Sequence, residues 1–163
     1  MLSCVLSDTL EFRSPTTTAK DKEIAALLAD QLGVNIKEYA LKMFEAKSDV
    51  SRFSDEDLIK MDSKKYEVDD KKFRISVLET TAPNIVLNRK DSILKTIESI
   101  KVEERLDEVL LFIIDILKEE ATLFVPNETV KAIAKNSFKT EPTSELVVLP
   151  GIVSRKKQII PAL

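Results

Sequence analysis

The longest apolar run in this sequence is Val109-Leu110-Leu111-Phe112-Ile113-Ile114, which contains no polar residue. A half-exposed strand would alternate polar and apolar residues, so a continuous run predicts a strand that is covered on both faces. The run is far too short to span a bilayer as a helix. We therefore expect a central strand in a sheet that carries helices on both sides.

The segments around this run follow the two periods that distinguish helices from strands. Helical spacing or capping residues predict helices at 1–6 (the inner turns of a buried helix), 19–32, 36–44, 54–59, 90–104 and 127–138. Alternation or short apolar runs predict strands at 65–68, 72–78, 109–114, 121–125, 145–149 and 158–160. The chain is therefore predicted to be a single α/β domain, a mixed β-sheet of about five strands with helices packed on it.

Two more detailed predictions concern the turn between the first two strands and the buried face of the helix at 19–32. Asp69-Asp70 lies between the first two predicted strands, where it predicts a tight hairpin turn. In the predicted helix 19–32 the large apolar side chains share one face, which we expect to be buried. These side chains are Ile24, Leu27, Leu28 and Leu32.

Composition excludes several kinds of active site. The chain of 163 residues has no histidine, so it cannot hold a histidine-based acid–base site, a Ser-His-Asp triad or an imidazole metal ligand. It has only 2 glycines and therefore no glycine-rich phosphate loop. With a net charge of −3, bulk attraction to nucleic acid or to an anionic membrane is not expected, and any anion site must be local.

The N-terminal region bears on location and completeness. The single cysteine, Cys4, cannot form an internal disulfide, and no signal-peptide pattern precedes the polar sequence. Both features favour the cytoplasm. We expect Cys4 to be a small core residue rather than an activated thiol. The apolar start at Met1 lacks a helix-capping residue and is typical of a cut through a longer protein.

A basic run near the C-terminus is the strongest candidate for a binding site. Arg155, Lys156 and Lys157 are consecutive, and they lie between the apolar stretches 146–149 and 159–160. Cations on a rigid scaffold suit phosphate oxygens, since arginine offers a planar fork and lysine a compact charge. The alternative is an ordinary basic turn between two strands, because charged runs are common on protein surfaces.

Three further positions allow both a functional and a purely structural interpretation. Asp8, at the end of the first apolar segment, is either a local cap or a metal or catalytic ligand. Lys64 is either a solvated turn residue or a cation that points at the same anion as the basic run. Asp115 is either a buried acid with a catalytic role or the point where the central strand reaches water.

Taken together, these segments resemble the family II, manganese-dependent inorganic pyrophosphatases. Residues 153–161, Val-Ser-Arg-Lys-Lys-Gln-Ile-Ile-Pro, look like the C-terminal signature of that family. The segment 1–10, followed by Phe12-Arg13-Ser14-Pro15-Thr16, resembles the junction between its two domains, and Asp62-Ser63-Lys64 resembles its Asp-x-Lys motif. The matches occur in the order of the family and span nearly the whole chain.

The resemblance implies a domain organisation for the protein. The family is a two-domain hydrolase of the DHH phosphoesterase superfamily, and this chain resembles its C-terminal domain, of the second DHH-associated type. Residues 1–14 would be the end of the interdomain helix and the linker, and residues 15–163 the substrate-binding domain. The partner would be the missing N-terminal DHH domain, which supplies the histidines and most other ligands of a two-manganese site.

The resemblance also implies roles for individual residues. Asp8 would be a metal ligand, and a carboxylate suits Mn²⁺ or Mg²⁺. Lys64, Arg155 and Lys156 would bind pyrophosphate, with Arg155 and Lys156 also taking part in catalysis. Mg²⁺ would accompany the substrate. Domain closure would exclude water and assemble the two halves of the site.

The implied activity is the hydrolysis of diphosphate to two phosphates by the full-length enzyme. One aspartate cannot hold a dinuclear centre, so this chain alone is expected to be inactive. Two alternatives remain at this point: a domain of an exopolyphosphatase-like DHH phosphoesterase, and a non-catalytic anion-binding module. The complete Arg-Lys-Lys-Gln signature favours the pyrophosphatase.

Overall fold

The apolar run 109–114 forms the middle strand of a five-stranded sheet in the computed structural model, which describes residues 1–47, 50–68 and 70–163. The strands are Ser63–Val68 (β1), Lys71–Thr80 (β2), Glu108–Asp115 (β3), Glu120–Phe124 (β4) and Leu146–Pro150 (β5). They lie in the sheet in sequence order. β2 and β3 are parallel, and the other neighbouring strands are antiparallel. The predicted α/β class with a mixed sheet is confirmed.

Helices cover both faces of this sheet. In the described part of the chain they are Leu2–Thr9 (α1), Ala19–Leu32 (α2), Ile36–Lys47 (α3), Asp55–Met61 (α4), Asn84–Leu87 (α5), Lys90–Glu103 (α6) and Glu128–Phe138 (α7). The chain ends in a π-helical turn, Arg155–Ile159, followed by a 3-10 turn, Ile160–Ala162. None of the described helices is both long and apolar enough to cross a lipid bilayer.

Every residue of β3 is buried, as the sequence predicts. Leu110, Phe112 and Ile114 belong to an apolar cluster that includes side chains of α1, α2, α3 and α7. Leu111 and Ile113 belong to a second cluster, which includes side chains of α4 and α6. Burying a side chain of this size contributes about 1.5–3 kcal/mol. Burial on both faces of β3 therefore helps to hold the two helical layers on the sheet.

Local sequence signals set several helix starts. Ser54 and Asp57 form a reciprocal capping box at α4, with Ser54 Oγ accepting a hydrogen bond from Asp57 N at 3.1 Å. Asn35 and Asn127 accept hydrogen bonds from the first turns of α3 and α7. These three predicted helix starts are confirmed.

The β1–β2 hairpin is also present. Val68 pairs with Lys71 across the two strands, so two residues connect them. Asp70 has a φ of 62°, in the left-handed region that two-residue hairpin turns require. Asp69, the other residue of the predicted turn, lies outside the described residues.

The predicted buried face of α2 is wrong in part. Ala25 and Ala29 are the buried residues of this helix, whereas Leu27 is 61% exposed and Leu32 59% exposed. The helix packs against α1 and α3, and small alanine side chains allow a close approach of the helix backbones. Hydrophobicity alone predicts that the leucines are buried. The close approach of α2 to α1 and α3 instead requires the small alanine side chains at the interface.

Residues 158–160 are not a strand, contrary to the sequence prediction. The main-chain N–H groups of Gln158 and Ile159 both donate to the carbonyl oxygen of Ser154, at 3.0 and 3.1 Å, which winds the segment into a helical turn. Pro161 lacks an N–H group and could not complete a strand ladder there. The basic run therefore lies in a π-helical turn. The alternative prediction, that it is a basic turn between two strands, is also wrong.

Cys4 is exposed rather than part of the core. In α1 the side chains of Leu2 and Leu6 are buried, and Cys4 falls on the other side of the helix. The helical period, rather than the apolar character of the residue, decides its position.

Glu104, directly after α6, connects this helix to the β1–β2 edge of the sheet. Its carboxylate lies 2.5 Å from Arg74 Nη2 on β2 and 3.1 Å from Lys65 Nζ on β1. Burial acts to raise the pKa of Glu104, but the hydrogen bonds and charges of Arg74 and Lys65 outweigh it and lower the pKa below its ordinary value. The ionised form of Glu104 therefore stabilises the fold.

We predict that Glu104→Gln destabilises the protein at pH 7, and that the difference from the unaltered protein shrinks as the pH falls. A carboxyl group whose pKa is lower in the folded state binds its proton more readily in the unfolded chain. Its contribution is thus present above the ordinary carboxyl pKa and is lost as the pH falls through the folded-state value. Urea unfolding between pH 7 and about pH 3 measures this trend.

The matched control is Glu103→Gln, at the exposed neighbouring position. It should leave stability within about 0.5 kcal/mol at every pH. A Glu104→Gln difference that stays constant from neutral to acidic pH would contradict the role of the ionised carboxylate.

Candidate functional site

Three of the predicted site residues line one cavity of about 170 Å³. Asp8 comes from the end of α1, and Arg155 and Lys156 come from the π-helical turn. The cavity also receives Asp62, between α4 and β1, and Glu79, near the end of β2. Two sequence-distant segments and one end of the sheet thus converge on a small polar opening.

The three consecutive cations of the basic run have three different environments. Arg155 contacts Asp62 twice: Nη1 donates to its main-chain oxygen at 2.9 Å, and Nη2 lies 2.8 Å from its Oδ1. Lys157 Nζ donates to the main-chain oxygen of Pro15 at 2.7 Å. Lys156 makes no hydrogen bond or ion pair within the described residues, and its exposed side chain lines the cavity. Its ammonium group has all three donors available to an anion, whereas Arg155 and Lys157 each use part of theirs within the protein.

Lys64 is not among the residues that line the cavity. It is exposed near the start of the edge strand β1, where it pairs with Ile75. Tyr66 and Val68, at alternate positions of the same strand, pack on the cluster that includes α1 and Ile159. Because side chains alternate along a strand, Lys64 projects from the sheet face on which the cavity lies.

The short segment after α1 has an unusual backbone. Leu10, Glu11 and Phe12 have φ values of 49°, 52° and 69°, all in the left-handed region that non-glycine residues rarely adopt. Arg13 anchors the segment, since its Nη1 donates to the oxygen of Ile116 at 3.2 Å and its Nη2 lies 2.8 Å from Glu11. Each such conformation costs on the order of 1 kcal/mol, so tertiary contacts hold it in place.

Gln158 organises the loop that leads into the basic run. Its Oε1 accepts hydrogen bonds from the N–H groups of Val153 and Ser154, each at 2.9 Å. Its Nε2 donates to the oxygen of Gly151 at 2.7 Å. Gly151 turns the chain after β5 with a φ of 75°, a conformation that favours glycine. The glutamine of the predicted signature is therefore a structural residue that fixes the loop preceding Arg155.

The acidic side chains of the cavity do not form a metal centre by themselves. Within residues 1–47, 50–68 and 70–163, no group of three or more histidine, cysteine, aspartate or glutamate side chains is arranged to hold a metal ion. The exposed carboxylate of Asp8 offers oxygen ligands of the kind that Mn²⁺ prefers, but a single carboxylate is not a site. The described residues therefore do not fit a complete two-metal centre.

Asp115 has a structural role at the end of β3. Its Oδ1 accepts hydrogen bonds from the N–H groups of Leu117 and Lys118, at 3.0 and 3.1 Å, and so closes the β3–β4 turn. Asp115 is buried, so the prediction that the strand reaches water at this residue is wrong, and its hydrogen bonds give the carboxylate a structural role in the turn.

A larger cavity, of about 590 Å³, lies at the other end of the sheet. It is lined by the first residues of β2 and β3 and by α7, and it includes Lys101 and the buried Glu108. Lys101 Nζ lies 2.8 Å from Glu108 Oε1, so these two charges satisfy each other. None of the predicted site residues lies there, and size alone does not make it the functional site.

Comparison with known proteins identifies similar sequences and structures. The DHHA2 domain family matches residues 41–163. A manganese-dependent inorganic pyrophosphatase of Bacillus subtilis is 37% identical over 164 aligned residues, which cover 100% of this chain and 52% of the relative. One from Methanocaldococcus jannaschii is 36% identical, with 100% and 53% covered.

A solved structure agrees with these matches. The crystal structure of a Methanococcus jannaschii protein, described as belonging to the family II inorganic pyrophosphatases, superimposes with a TM-score of 0.86 at 36% identity. The match covers 99% of this chain and 52% of that one. The chain thus spans about half the length of the relatives that it matches.

We predict that Gln158→Leu destabilises the protein by about 1–3 kcal/mol. The substitution keeps the approximate size of the side chain but leaves the N–H groups of Val153 and Ser154 without their acceptor. Urea unfolding measures the change. As a control, Lys131→Leu on the surface of α7 should change stability by less than about 0.5 kcal/mol. Equal unfolding midpoints for Gln158→Leu and the unaltered protein would contradict this role.

Proposed function

Since the chain belongs to the DHHA2 domain family, we propose that it is the substrate-binding half of a manganese-dependent inorganic pyrophosphatase. Its substrate would be pyrophosphate, which the complete enzyme hydrolyses to two phosphates. The observation that carries the proposal is the convergence of Arg155, Lys156 and Asp8 on one cavity. The same proposal includes a linker at residues 1–14, a substrate-binding domain at residues 15–163, a DHH domain as partner and a cytoplasmic location.

Arg155 and Lys156 would bind the phosphate oxygens in different ways. Arg155 is largely enclosed, with 15% of its side chain exposed, so its planar guanidinium would contact the anion from a fixed position. Lys156 would contribute a mobile point charge, since its side chain is exposed. Lys64, on the same sheet face, would reach the anion from the β1 side.

These cations would also act during the reaction. Negative charge builds up on the leaving phosphate as the bond to the bridging oxygen breaks. Donors already fixed near that oxygen stabilise the charge without reorganising at the moment of reaction. Arg155 and Lys156 would therefore contribute to catalysis as well as to binding.

Manganese would be held mainly by the N-terminal DHH domain of the complete enzyme, with Asp8 as one ligand. When bound, a pair of divalent ions can activate water and polarise a phosphoryl group. Mg²⁺ would enter with the substrate. The cavity residues of this chain would then bind and orient pyrophosphate and neutralise part of its charge.

The competing functions are supported less well. An exopolyphosphatase-like phosphoesterase would share this domain type, but the compared relatives carry pyrophosphatase descriptions. A non-catalytic anion-binding module would keep the cations, yet it gives no role to the carboxylate of Asp8 beside them. Comparing pyrophosphate with long-chain polyphosphate as ligands distinguishes the first alternative from the proposal.

We predict that this chain binds pyrophosphate and that Arg155→Ala weakens the binding by about tenfold, as expected for the loss of a charged hydrogen-bond donor. Lys156→Ala should weaken it by about threefold to tenfold, because an exposed lysine is better screened. Isothermal titration calorimetry at low salt measures the affinity. Lys95→Ala, which removes an exposed charge from α6 on the other face of the sheet, is the control. If Lys95→Ala weakens binding as much as Arg155→Ala does, the cavity is not the binding site.

We also predict that this chain alone does not release phosphate from pyrophosphate when Mn²⁺ is present. Within the described residues, the acidic side chains beside the cations are not arranged as a metal centre. A colorimetric phosphate assay at high protein concentration tests this, with the Bacillus subtilis enzyme as positive control. Turnover that Arg155→Ala abolishes would show that the chain holds a catalytic site of its own.

A further inference from the structure

The contact between Arg155 and Asp62 has a specific geometry. Both terminal nitrogens of the guanidinium contact the same residue, one at the main-chain oxygen and one at the carboxylate. Two contacts from a planar, delocalised group fix its plane as well as its position. Within the described residues no other group forms a hydrogen bond or ion pair with this side chain. The orientation of Arg155 therefore depends on Asp62.

Asp62 is itself held firmly. It follows the last residue of α4 and precedes the first residue of β1, so its backbone is part of a helix-to-strand junction. Its main-chain oxygen also accepts a hydrogen bond from the N–H group of Val77 on β2, at 2.9 Å. This oxygen thus connects β2 with Arg155, so the position of the guanidinium is fixed relative to the sheet.

We propose that Asp62 is a positioning residue that holds the Arg155 guanidinium in the orientation in which its remaining N–H groups face an anion in the cavity. This inference rests on the proposed function, in which Arg155 binds pyrophosphate. Arginine carries five N–H donors in a rigid fork, so the two contacts to Asp62 leave donors available for phosphate oxygens.

The same residue links the two cationic segments of the site. Lys64 lies two positions after Asp62, at the start of β1, whereas Arg155 is 93 residues away in the sequence. A single short segment thus places Lys64 on the sheet and orients Arg155. This arrangement gives the aspartate of the Asp-x-Lys motif a role of its own, apart from that of the lysine.

If charge alone mattered, Asp62 would weaken the binding of an anion in the cavity rather than support it. A carboxylate beside an anion site repels the anion, so its removal should strengthen binding if only Coulomb forces mattered. Positioning predicts the reverse, because a guanidinium that keeps only the main-chain contact samples other orientations, and ordering it on binding then costs affinity. The sign of the change in affinity therefore separates the two accounts.

The experiment measures pyrophosphate binding to this chain by isothermal titration calorimetry. Asp62→Ala should weaken binding about threefold to tenfold, the range expected for a partly exposed ion pair. Asp62→Asn should have a smaller effect, since its amide oxygen still accepts one hydrogen bond. Asp30→Ala, which removes an exposed acid from α2, should not weaken binding and serves as the matched control.

A double-mutant cycle distinguishes positioning from a general loss of structure. In the Arg155→Ala background, Asp62→Ala should cause no further weakening, because the group that it positions is absent. Circular dichroism and urea unfolding establish that each variant is folded, and Asp62→Asn replaces Asp62→Ala in the cycle if the alanine variant is not. Equal weakening in both backgrounds, or unchanged or tighter binding by Asp62→Ala, overturns the inference.

A second measurement needs no ligand and separates this inference from the proposed function. Modification of Arg155 by phenylglyoxal, followed by mass spectrometry of peptides, should be faster in Asp62→Ala than in the unaltered chain. If Arg155→Ala does not change pyrophosphate affinity, the proposed function fails, and the role assigned to Asp62 in anion binding fails with it. If Arg155→Ala weakens binding while Asp62→Ala changes neither affinity nor modification rate, only the Asp62 inference fails.

Discussion

The burial of β3 on both faces is the constraint on which the rest of the structure depends. A strand without polar side chains requires an apolar layer on each side, and the chain supplies α4 and α6 on one face and α1, α2, α3 and α7 on the other. The parallel pairing of β2 with β3 requires a crossover, which α5 and α6 provide. The antiparallel strands β4 and β5 then extend the sheet, β4 after a short turn and β5 after a longer connection that contains α7. Once β3 is central, the positions of the other elements are strongly restricted.

This arrangement brings the candidate site together from distant segments. α1 packs on one face of the sheet and carries Asp8 in its last turn, and the buried Ile159 attaches the π-helical turn to the same face. Residues near the end of β2 line the cavity between these two segments. The cavity is therefore a consequence of packing: the two segments meet because both bury apolar side chains in one cluster. Lys157 adds a direct connection, since it binds the oxygen of Pro15 in the segment that follows Asp8.

The sequence predicts the fold where local signals and burial agree. The strand β3, the hairpin, the capping box at Ser54 and the cap at Asn127 all follow from patterns within a few residues. The errors occur where a tertiary or side-chain contact decides. Ala25 and Ala29 replace the leucines at the interface of α2, and the side chain of Gln158 helps to hold a turn where two isoleucines suggest a strand.

The sequence likewise predicts only part of the candidate site. The residue types come from the resemblance to a family, and the fold brings Asp8, Arg155 and Lys156 together. The sequence gives no sign of the contact between Arg155 and Asp62, because nothing local connects residues 93 positions apart. It also cannot distinguish the three adjacent cations. Their different roles arise from a π-helical turn, which points neighbouring side chains in different directions.

The charge distribution explains how an acidic chain can hold an anion site. The net charge of −3 provides no long-range attraction, so affinity must come from short-range contacts. In the cavity, Asp8, Asp62 and Glu79 lie beside two cations, and this balance disfavours non-specific binding of anions. Only an anion that fits both Arg155 and Lys156, or one that brings cations to meet the carboxylates, would overcome it. In the proposed function, pyrophosphate with bound metal ions would have both properties, whereas a bare monovalent anion would have neither.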